Sequence, residues 1–412
     1  MTTSPRVLGA LATAGVAALL LSGCVAKSDL AADPSSSFTV ASDDAKCAVS
    51  AATAKSGTLT FDVTNSSDQV SEFYLLADDG MRIVGEVENV APAASRTLTV
   101  LVQPGDYFTV CKPGMVGAGV GKAPFTVTGD RVAVKGADAE QKKKAVDLYA
   151  AFVKDQVGAL MPAVDELVAA YEAGDDAKAR ALFPQTRAPY ERIEPVAESL
   201  GDLDPRIDFR EVDAVAEGLA WTGFHRIEKD LWQPAKDALN ADGETPAWKD
   251  WAPSTPAQRA EYGAKLKADV KELYDYVHSD TFTKTLEDQG IGNISNGAIA
   301  LLDEVATGKI TGEEDWWSGT DLFDFAANVE GSKMAFSLVK DFAAAQGAEG
   351  KKLADRISSG YTHLEEALAE HGSLDKGFVG FRELTDAQKR ELVDLINALA
   401  EPLSQLTGKV LS

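Results

Sequence analysis

The segment Trp221-Thr-Gly-Phe-His225-Arg-Ile-Glu228-Lys-Asp-Leu-Trp232 has the residue pattern of a helix that is partly buried in a core. Apolar residues recur there and just upstream at spacings of three to five, which predicts one helix with a face turned towards a core. His225 and Glu228 are three residues apart, so their side chains project from the same side of that helix. Helical bundles often present transition-metal ligands in this way, which predicts a metal site here. The apolar stripe consists of Val212, Val215, Leu219, Phe224, Ile227 and Leu231.

The His-x-x-Glu pattern alone is a weak signal, because two of the four histidines satisfy it. The second copy, His363 with Glu366, lies in an Ala- and Glu-rich segment typical of a solvated helix. Aromatic and apolar residues surround the first copy, which favours His225 and Glu228 as ligands over a structural hydrogen-bonded pair. A zinc peptidase would need a second histidine next to this motif, and Lys229 follows Glu228 instead.

Three runs in this order resemble the imelysin-like family: GFHRIEKDLW (223–232), KITGEED (309–315) and DLFDFAANVEG (321–331). More narrowly, they are similar to the EfeO-type lipoproteins of bacterial iron uptake, over nearly the whole mature chain. The resemblance implies iron, Fe²⁺ or Fe³⁺, as the bound metal, with Zn²⁺ or Cu²⁺ as other candidates. It also implies two partners, an iron permease and a haem-type peroxidase.

Residues 1–23 have the pattern of a lipoprotein signal peptide. Arg6 precedes an apolar run that is too short for a comfortable membrane span, and Leu21-Ser-Gly-Cys24 follows it. This pattern predicts cleavage before Cys24 and lipidation of its thiol, with an ordinary secretory signal as the alternative. Residues 24–37 then form a polar tether. The mature protein is therefore expected at the outer face of the cytoplasmic membrane, held by a lipid anchor.

Between residues 38 and 130 the apolar pattern changes to a period of two. Residues 58–64, 96–102 and 106–111 are predicted strands rich in Thr and Val, separated by turn residues. Several short strands at this spacing predict a small all-β sandwich. The region resembles the cupredoxin-like module of the longer EfeO-type proteins, but it contains no histidine, so a His2Cys copper centre cannot form.

Two cysteines, Cys47 and Cys111, lie near the two ends of this β region. In an oxidising compartment a disulfide between them is expected. The family resemblance implies an alternative, a second metal site that uses Cys47, Glu72 and Cys111, with Asp106 or Glu88. Both interpretations need the same sulfur atoms, so both could hold only in different redox states.

The chain from residue 145 to residue 412 is predicted to be all α-helical, after a charged linker at 131–144. A three-four apolar stripe over residues 146–171 predicts the first long helix. Thr255-Pro256 and Thr385-Asp-Ala-Gln388 are helix-start signals. The family resemblance implies that these helices form an imelysin-like domain of paired bundles. Further helices are predicted near residues 178–200, 256–288, 294–307, 320–346, 350–371 and 385–411.

A metal held by His225 and Glu228 needs one or two more ligands from elsewhere in the chain. The family resemblance implies an aspartate some way downstream and a later glutamate. The candidates are Glu313, Glu314 and Asp315 in one acidic run, and Asp242 in a loop. Glu313 or Glu314 fits the late ligand, and Asp242 or Asp237 fits the intermediate one. The acidic run at 313–315 has an alternative interpretation, the stabilisation of a helix N-terminus. An imidazole with two or three carboxylates favours iron or zinc over copper(I).

Composition limits the classes of function. The chain has 412 residues, 45% of them hydrophobic, which is enough for two cores. The formal net charge of −24 argues against nucleic-acid partners and favours cationic ligands, although solubility alone explains it equally well. The first hypothesis is a non-enzymatic lipoprotein that binds iron and delivers it to a permease. The alternatives are a metal-dependent hydrolase and a protein that binds acidic polysaccharide through bridging cations.

Overall fold

The computed structural model describes residues 36–133 and 138–412. A β-rich region, here called the β module (36–133), precedes a helical region (138–412). The predicted signal peptide, Cys24 with most of its tether, and part of the predicted linker lie outside the described residues and stay predictions. Within the described ranges, the helices are too short or too polar to qualify as membrane-spanning segments.

The β module consists of two sheets. One sheet has the strand order β2-β1-β4-β7, and the other has the order β3-β9-β8-β5-β6. β1 pairs in parallel with β4 and β3 with β9, and the remaining neighbours are antiparallel. The strands are β1 (Ser37–Ser42), β2 (Cys47–Val49), β3 (Thr53–Lys55), β4 (Gly57–Asn65), β5 (Ser71–Leu76), β6 (Ile83–Val90), β7 (Ser95–Val102), β8 (Gly105–Pro113) and β9 (Val120–Thr128).

The core of the β module lies between the two sheets. Alternate residues of β4 are buried, as the period of two predicts. The ring of Phe61 on β4 lies 5.2 Å from Phe38, 5.3 Å from Phe73 and 5.6 Å from Phe125, between centroids. Such ring pairs contribute beyond the area that they bury. The all-β prediction is therefore confirmed, while the cupredoxin-like identity of the module stays a prediction.

The helical region packs around one large apolar core that runs from α1 to α12. A small β-hairpin, β10 (Gly372–Ser373) with β11 (Gly377–Phe378), follows α10. The helices are α1 (Ala139–Glu172), α2 (Asp176–Glu191), α3 (Glu194–Glu198), α4 (Leu203–Ile207), α5 (Glu211–Glu217), α6 (Gly223–Leu231), α7 (Pro256–Val277), α8 (Asp280–Thr307), α9 (Asp321–Ala344), α10 (Gly347–Ala369), α11 (Asp386–Leu403) and α12 (Leu406–Val410).

The predicted helix-start signals are confirmed. Thr255 and Thr385 each accept a hydrogen bond from the backbone N–H three residues on, and the Gln there closes a capping box. Pro256 occupies the first turn of α7, where its missing N–H is harmless.

The prediction of one continuous helix from residue 212 to residue 231 is wrong. Helix α5 ends at Gly218, which has a left-handed backbone with φ of +70°, and α6 begins only at Gly223. Val215 and Leu219 fit the helical spacing but are 73% and 47% exposed. The apolar stripe that reaches the core is therefore confined to α6.

Helix α8 joins the two regions, because it packs on β6 and β7 of the β module. Arg96 of β7 forms an ion pair of 2.9 Å with Asp303, and the Asn296 side chain donates to the Thr99 carbonyl oxygen at 3.1 Å. These contacts place the β module against the same side of the helical region that carries the buried charges described next.

Candidate metal centre

Helix α6 holds His225 and Glu228 side by side in the protein interior. The helix begins at Gly223, where φ is +83° and an added Cβ would lie 2.1 Å from the Ile207 carbonyl oxygen. Only glycine allows α6 to approach α4 this closely. His225 is 2% exposed and Glu228 0% exposed, and Glu228 Oε2 lies 3.0 Å from His225 Nδ1.

The imidazole ring of His225 has carboxylates on both sides. On the Nε2 side, Glu314 Oε1 lies at 3.1 Å and Asp208 Oδ1 at 3.5 Å. On the Nδ1 side, Glu228 is joined by Asp315 Oδ1 at 3.8 Å. Each side therefore forms a group of three donor atoms that lie within 4.8 Å of one another, His225 with Asp208 and Glu314, and His225 with Glu228 and Asp315.

The loop before α9 fixes the position of Glu228. Its Oε1 atom accepts hydrogen bonds from the backbone N–H groups of Trp317 at 3.0 Å and Ser318 at 2.8 Å. Its Oε2 atom is the one that faces His225. The same loop carries Glu314 and Asp315, so one short segment supplies two carboxylates and orients a third. This arrangement is typical of ligands held by surrounding hydrogen bonds.

Two buried cations compensate part of the negative charge. Arg187 on α2 contacts Glu191 at 2.5 Å and is also bonded to Asp208. Lys309 pairs with Glu194 and with Glu304, each at 3.2 Å. The Arg187 guanidinium interacts more closely with the Nε2 side of the His225 ring than with the Nδ1 side. It forms a hydrogen bond with Asp208 on the Nε2 side, whereas its Nε atom lies 3.7 Å from Asp315 on the Nδ1 side. The Nε2 side is therefore the better neutralised of the two.

Three buried carboxylate oxygens between residues 315 and 324 accept no hydrogen bond from the described residues, and one of them, on Asp315, lies on the Nδ1 side of His225. They belong to Asp315, Asp321 and Asp324, all at most 1% exposed. Leaving such an oxygen without a donor in a dry interior is unfavourable. A bound cation would satisfy the requirement, and an imidazole with carboxylates is a donor set that suits iron and zinc.

The electrostatics of the site favour a positive charge at its centre. Burial and Arg187 lower the pKa of His225, but hydrogen bonds to Glu228 and Glu314 and the charge of Asp208 raise it to well above 6.5. Burial and repulsion by Asp315 raise the pKa of Glu228. Burial raises the pKa of Asp208 to about 7, although Arg187 and His225 act against it. A cation that binds the ring must displace a proton, so acid weakens binding.

Other predicted site residues lie apart from this group. Glu313 is half-buried and its carboxylate is 3.6 Å from Arg210. Asp242 is exposed and accepts hydrogen bonds from the backbone N–H groups of Glu244 and Thr245, which closes a local turn. Asp237 is also exposed. From the predicted pair Glu313 and Glu314, the structure thus brings Glu314 to His225. From the pair Asp237 and Asp242, it brings neither.

The second His-x-x-Glu pattern is on the surface of α10, where His363 and Glu366 are both exposed. Sequence reasoning also missed Arg187, Asp208 and Lys309. One signal pointed to Arg187, which stands at helical spacing between the buried aromatics Phe183 and Tyr190. A charged residue inside an apolar stripe predicts a buried ion pair.

Cys47 and Cys111 are joined by a disulfide, with 5.3 Å between their Cα atoms. The bond connects β2 of one sheet with β8 of the other, and a disulfide sulfur is not the thiolate that a metal requires. Glu72, on β5, instead accepts a hydrogen bond from the Tyr74 hydroxyl at 2.6 Å. Asp106 is exposed and bonds Thr126. In this oxidised state the expected disulfide is present, and a thiolate site is not formed.

Comparison with known proteins identifies the family of the helical region. The model of the imelysin family, also named peptidase M75, matches residues 145–406. The chain therefore belongs to the imelysin family. It is 35% identical over 373 residues to the iron uptake system component EfeO of Escherichia coli K12, covering 89% of each chain. The EfeO of Shigella flexneri matches with the same identity and coverage. Within the imelysin family, this chain is an EfeO-type protein.

Proposed function

We propose that this protein is an extracytoplasmic, lipid-anchored component of iron uptake. In this proposal, it holds one iron ion through His225, Glu228 and Asp315 and delivers the ion to a membrane permease. A haem-type peroxidase is the other proposed partner. The names of the EfeO relatives support iron as the cargo.

One observation carries the choice of site: the fully buried Asp315 carboxylate has an oxygen without a hydrogen-bond donor, next to His225 and Glu228. The Nε2 side is a weaker candidate, since Asp208 bonds Arg187 and Glu314 lies 3.9 Å from the Lys309 ammonium. A cation there would compete with charges that the protein supplies itself.

The family is also named peptidase M75, which suggests a hydrolase as the alternative function. We favour metal binding without catalytic turnover. A metallohydrolase needs an open metal position for water and a base beside it. On the Nδ1 side of His225, the carboxylates of Glu228 and Asp315 are both 0% exposed and both proposed as ligands, which leaves neither as a free base. Acidic polysaccharide is a poorer candidate partner because the chain carries a net charge of −24.

Titration calorimetry tests the proposal with Fe(II) under anoxic conditions, Fe(III) citrate, Zn(II) and Cu(II). The test variant carries His225→Ala with Glu228→Ala, and the matched control carries His363→Ala with Glu366→Ala on the surface of α10. We expect one tight iron site that the first variant loses and the second retains. Equal affinity and stoichiometry in both variants would contradict the site. Cleavage of a peptide library by the zinc-loaded protein would instead favour the hydrolase.

A further inference from the structure

A cavity of about 170 Å³ lies where the β module meets the helical region. From the β module, Glu72, Lys112 and Val116 line it, and from the helical region Asp208 and Glu314 do so. The last two are the carboxylates that contact His225 Nε2. The cavity therefore ends at the two carboxylates on the Nε2 side of the ring.

A second and much smaller cavity of about 20 Å³ is lined by His225 and Glu228 themselves. Its lining includes Val212, Trp316 and Trp317. The Lys229 ammonium, 4.7 Å from the centroid of the Trp317 ring, helps to fix this wall. A single water needs a cavity volume of roughly 10–15 Å³. The small cavity therefore holds about one water, whereas the large cavity has room for an ion with several waters.

We propose that cations reach His225 through the large cavity and that the β module acts as a gate over it. The proposal rests on the proposed function: the route ends at Asp208 and Glu314 on the Nε2 side of His225, and the proposed iron site lies on the Nδ1 side of the same ring. It also gives the β module a role that needs neither thiolate ligands nor copper. The cargo class is a small hydrated metal cation, and the carboxylates along the walls attract it and replace its waters stepwise.

The ion pair between Lys112 and Glu217 forms the contact across the gate. It joins β8 to the end of α5 over 3.3 Å, and each of the two side chains is 22% exposed. An ion pair in this partly solvated position is weak enough to open and close. Its lysine is also a positive charge at the mouth, which opposes an incoming cation. Both features predict effects on rates rather than on equilibrium affinity.

Two valine substitutions test the route in the full-length oxidised protein. Val116 is 48% exposed at the rim of the large cavity, and Val116→Trp narrows that opening. Val212→Trp makes the same change at the small cavity. The dissociation rate of Fe(II) is followed with excess chromogenic chelator, the Kd by calorimetry, and the association rate is their quotient. We expect Val116→Trp to slow association and dissociation each by about tenfold at constant Kd, and Val212→Trp to change neither.

Slowing by Val212→Trp alone, or unchanged rates in both variants, would overturn the proposed route while wild-type binding persisted. Absence of Fe(II) binding by the wild type would instead refute the proposed function. Lys112→Met gives an independent measurement. Removing its charge should raise the association rate several-fold at low salt, on the order of 3-fold, with the effect lost at high salt. A change in Kd without a change in the association rate would contradict a gate at Lys112.

Discussion

Around Phe61 the β module buries aromatic rings and a disulfide, whereas around Arg187 the helical region buries a network of charges. The first interior is stabilised by contacts that are complete within the protein. The second contains fully buried carboxylate oxygens that lack a hydrogen-bond donor among the described residues. Burying ion networks is seldom the most stable solution for an interior.

The two interiors differ in what they contribute: the first stabilises the fold, and the second contains the proposed site. In the β module, the disulfide between Cys47 and Cys111 joins the two sheets. In the helical region, four acidic residues from three separate segments converge on one histidine. A structure that tolerates such repulsion provides a place for a cation, and the predictions below separate the two interiors by what each should lose on mutation.

The largest expected effect on stability comes from the disulfide. Replacing Cys47 and Cys111 by serine opens a loop with a sequence separation of 64 residues. We expect the β module to lose about 4 kcal/mol in free energy of unfolding, from the entropy of the opened loop. Calorimetric unfolding of the double mutant measures it, and iron titration provides the control. Loss of iron binding in a variant that remains folded would show that the sulfurs serve the metal after all.

The second effect depends on pH and concerns Glu72, which faces the cavity between the two regions. Burial raises its pKa from 4.5 to about 7, although Lys112 and the hydrogen bond from Tyr74 lower it. Since the folded protein binds this proton more tightly than the unfolded chain, the contribution to stability is present below pH 4.5 and lost as pH rises through 7.

Glu72→Gln removes this dependence. Relative to the wild type, we expect the variant to gain up to about 3 kcal/mol in free energy of unfolding at pH 8, and nothing at pH 4. Urea denaturation at both pH values measures the difference. An equal change at the two pH values would mean that packing or the Tyr74 hydrogen bond, and not the buried charge, determines the effect.

The period-two alternation made the β module predictable from its sequence. Residues 58–64 were expected to form a strand and lie inside β4, because a sheet with one buried face imposes that alternation directly. The caps at Thr255 and Thr385 were predictable for a similar reason, since each depends on residues only three positions apart. Structural features that depend only on neighbouring residues can thus be predicted from the sequence.

The candidate site was predictable only in part, because it depends on contacts between distant residues. His225 and Glu228 stand on one helical turn, and Glu314 belongs to a conspicuous acidic run. Asp208 carries no such signal, and Arg187 carries only that of a charged residue within an apolar stripe. The positions of both at His225 depend on how α2 and α4 pack. The helix break at Gly218 was not predicted, because the exposed apolar residues Val215 and Leu219 continue the helical spacing across it.

The third effect concerns Asp315 and sharpens the assignment within the charged interior. Asp315→Asn keeps the shape of the side chain but removes its charge and one acceptor oxygen. We expect iron affinity to fall about 10- to 100-fold, equivalent to about 1.4–2.7 kcal/mol. Calorimetric titration measures it, with Glu313→Gln as the neighbouring control, which should keep its affinity. A larger loss of iron affinity in Glu313→Gln than in Asp315→Asn would identify Glu313, and not Asp315, as the ligand.

The smallest effect is expected from Asp242, which with Asp237 was one of the two aspartates that fitted the intermediate ligand implied by the family resemblance. It is exposed, and its Oδ1 atom already accepts two backbone hydrogen bonds, at 2.9 Å from Glu244 and 2.8 Å from Thr245. Asp242→Ala should therefore cost about 0.5–1 kcal/mol of stability, as for a lost turn hydrogen bond, and leave iron affinity unchanged.

Titration of Asp242→Ala beside Asp315→Asn compares an exposed carboxylate with a buried one directly. If Asp242→Ala lost affinity as strongly as Asp315→Asn, the loop at 237–250 would have to close over His225 when iron binds. The ligand set would then combine a buried group with a mobile one. Unchanged affinity would instead mean that the buried carboxylates suffice, because they are already positioned before the cation arrives and little ordering entropy opposes binding.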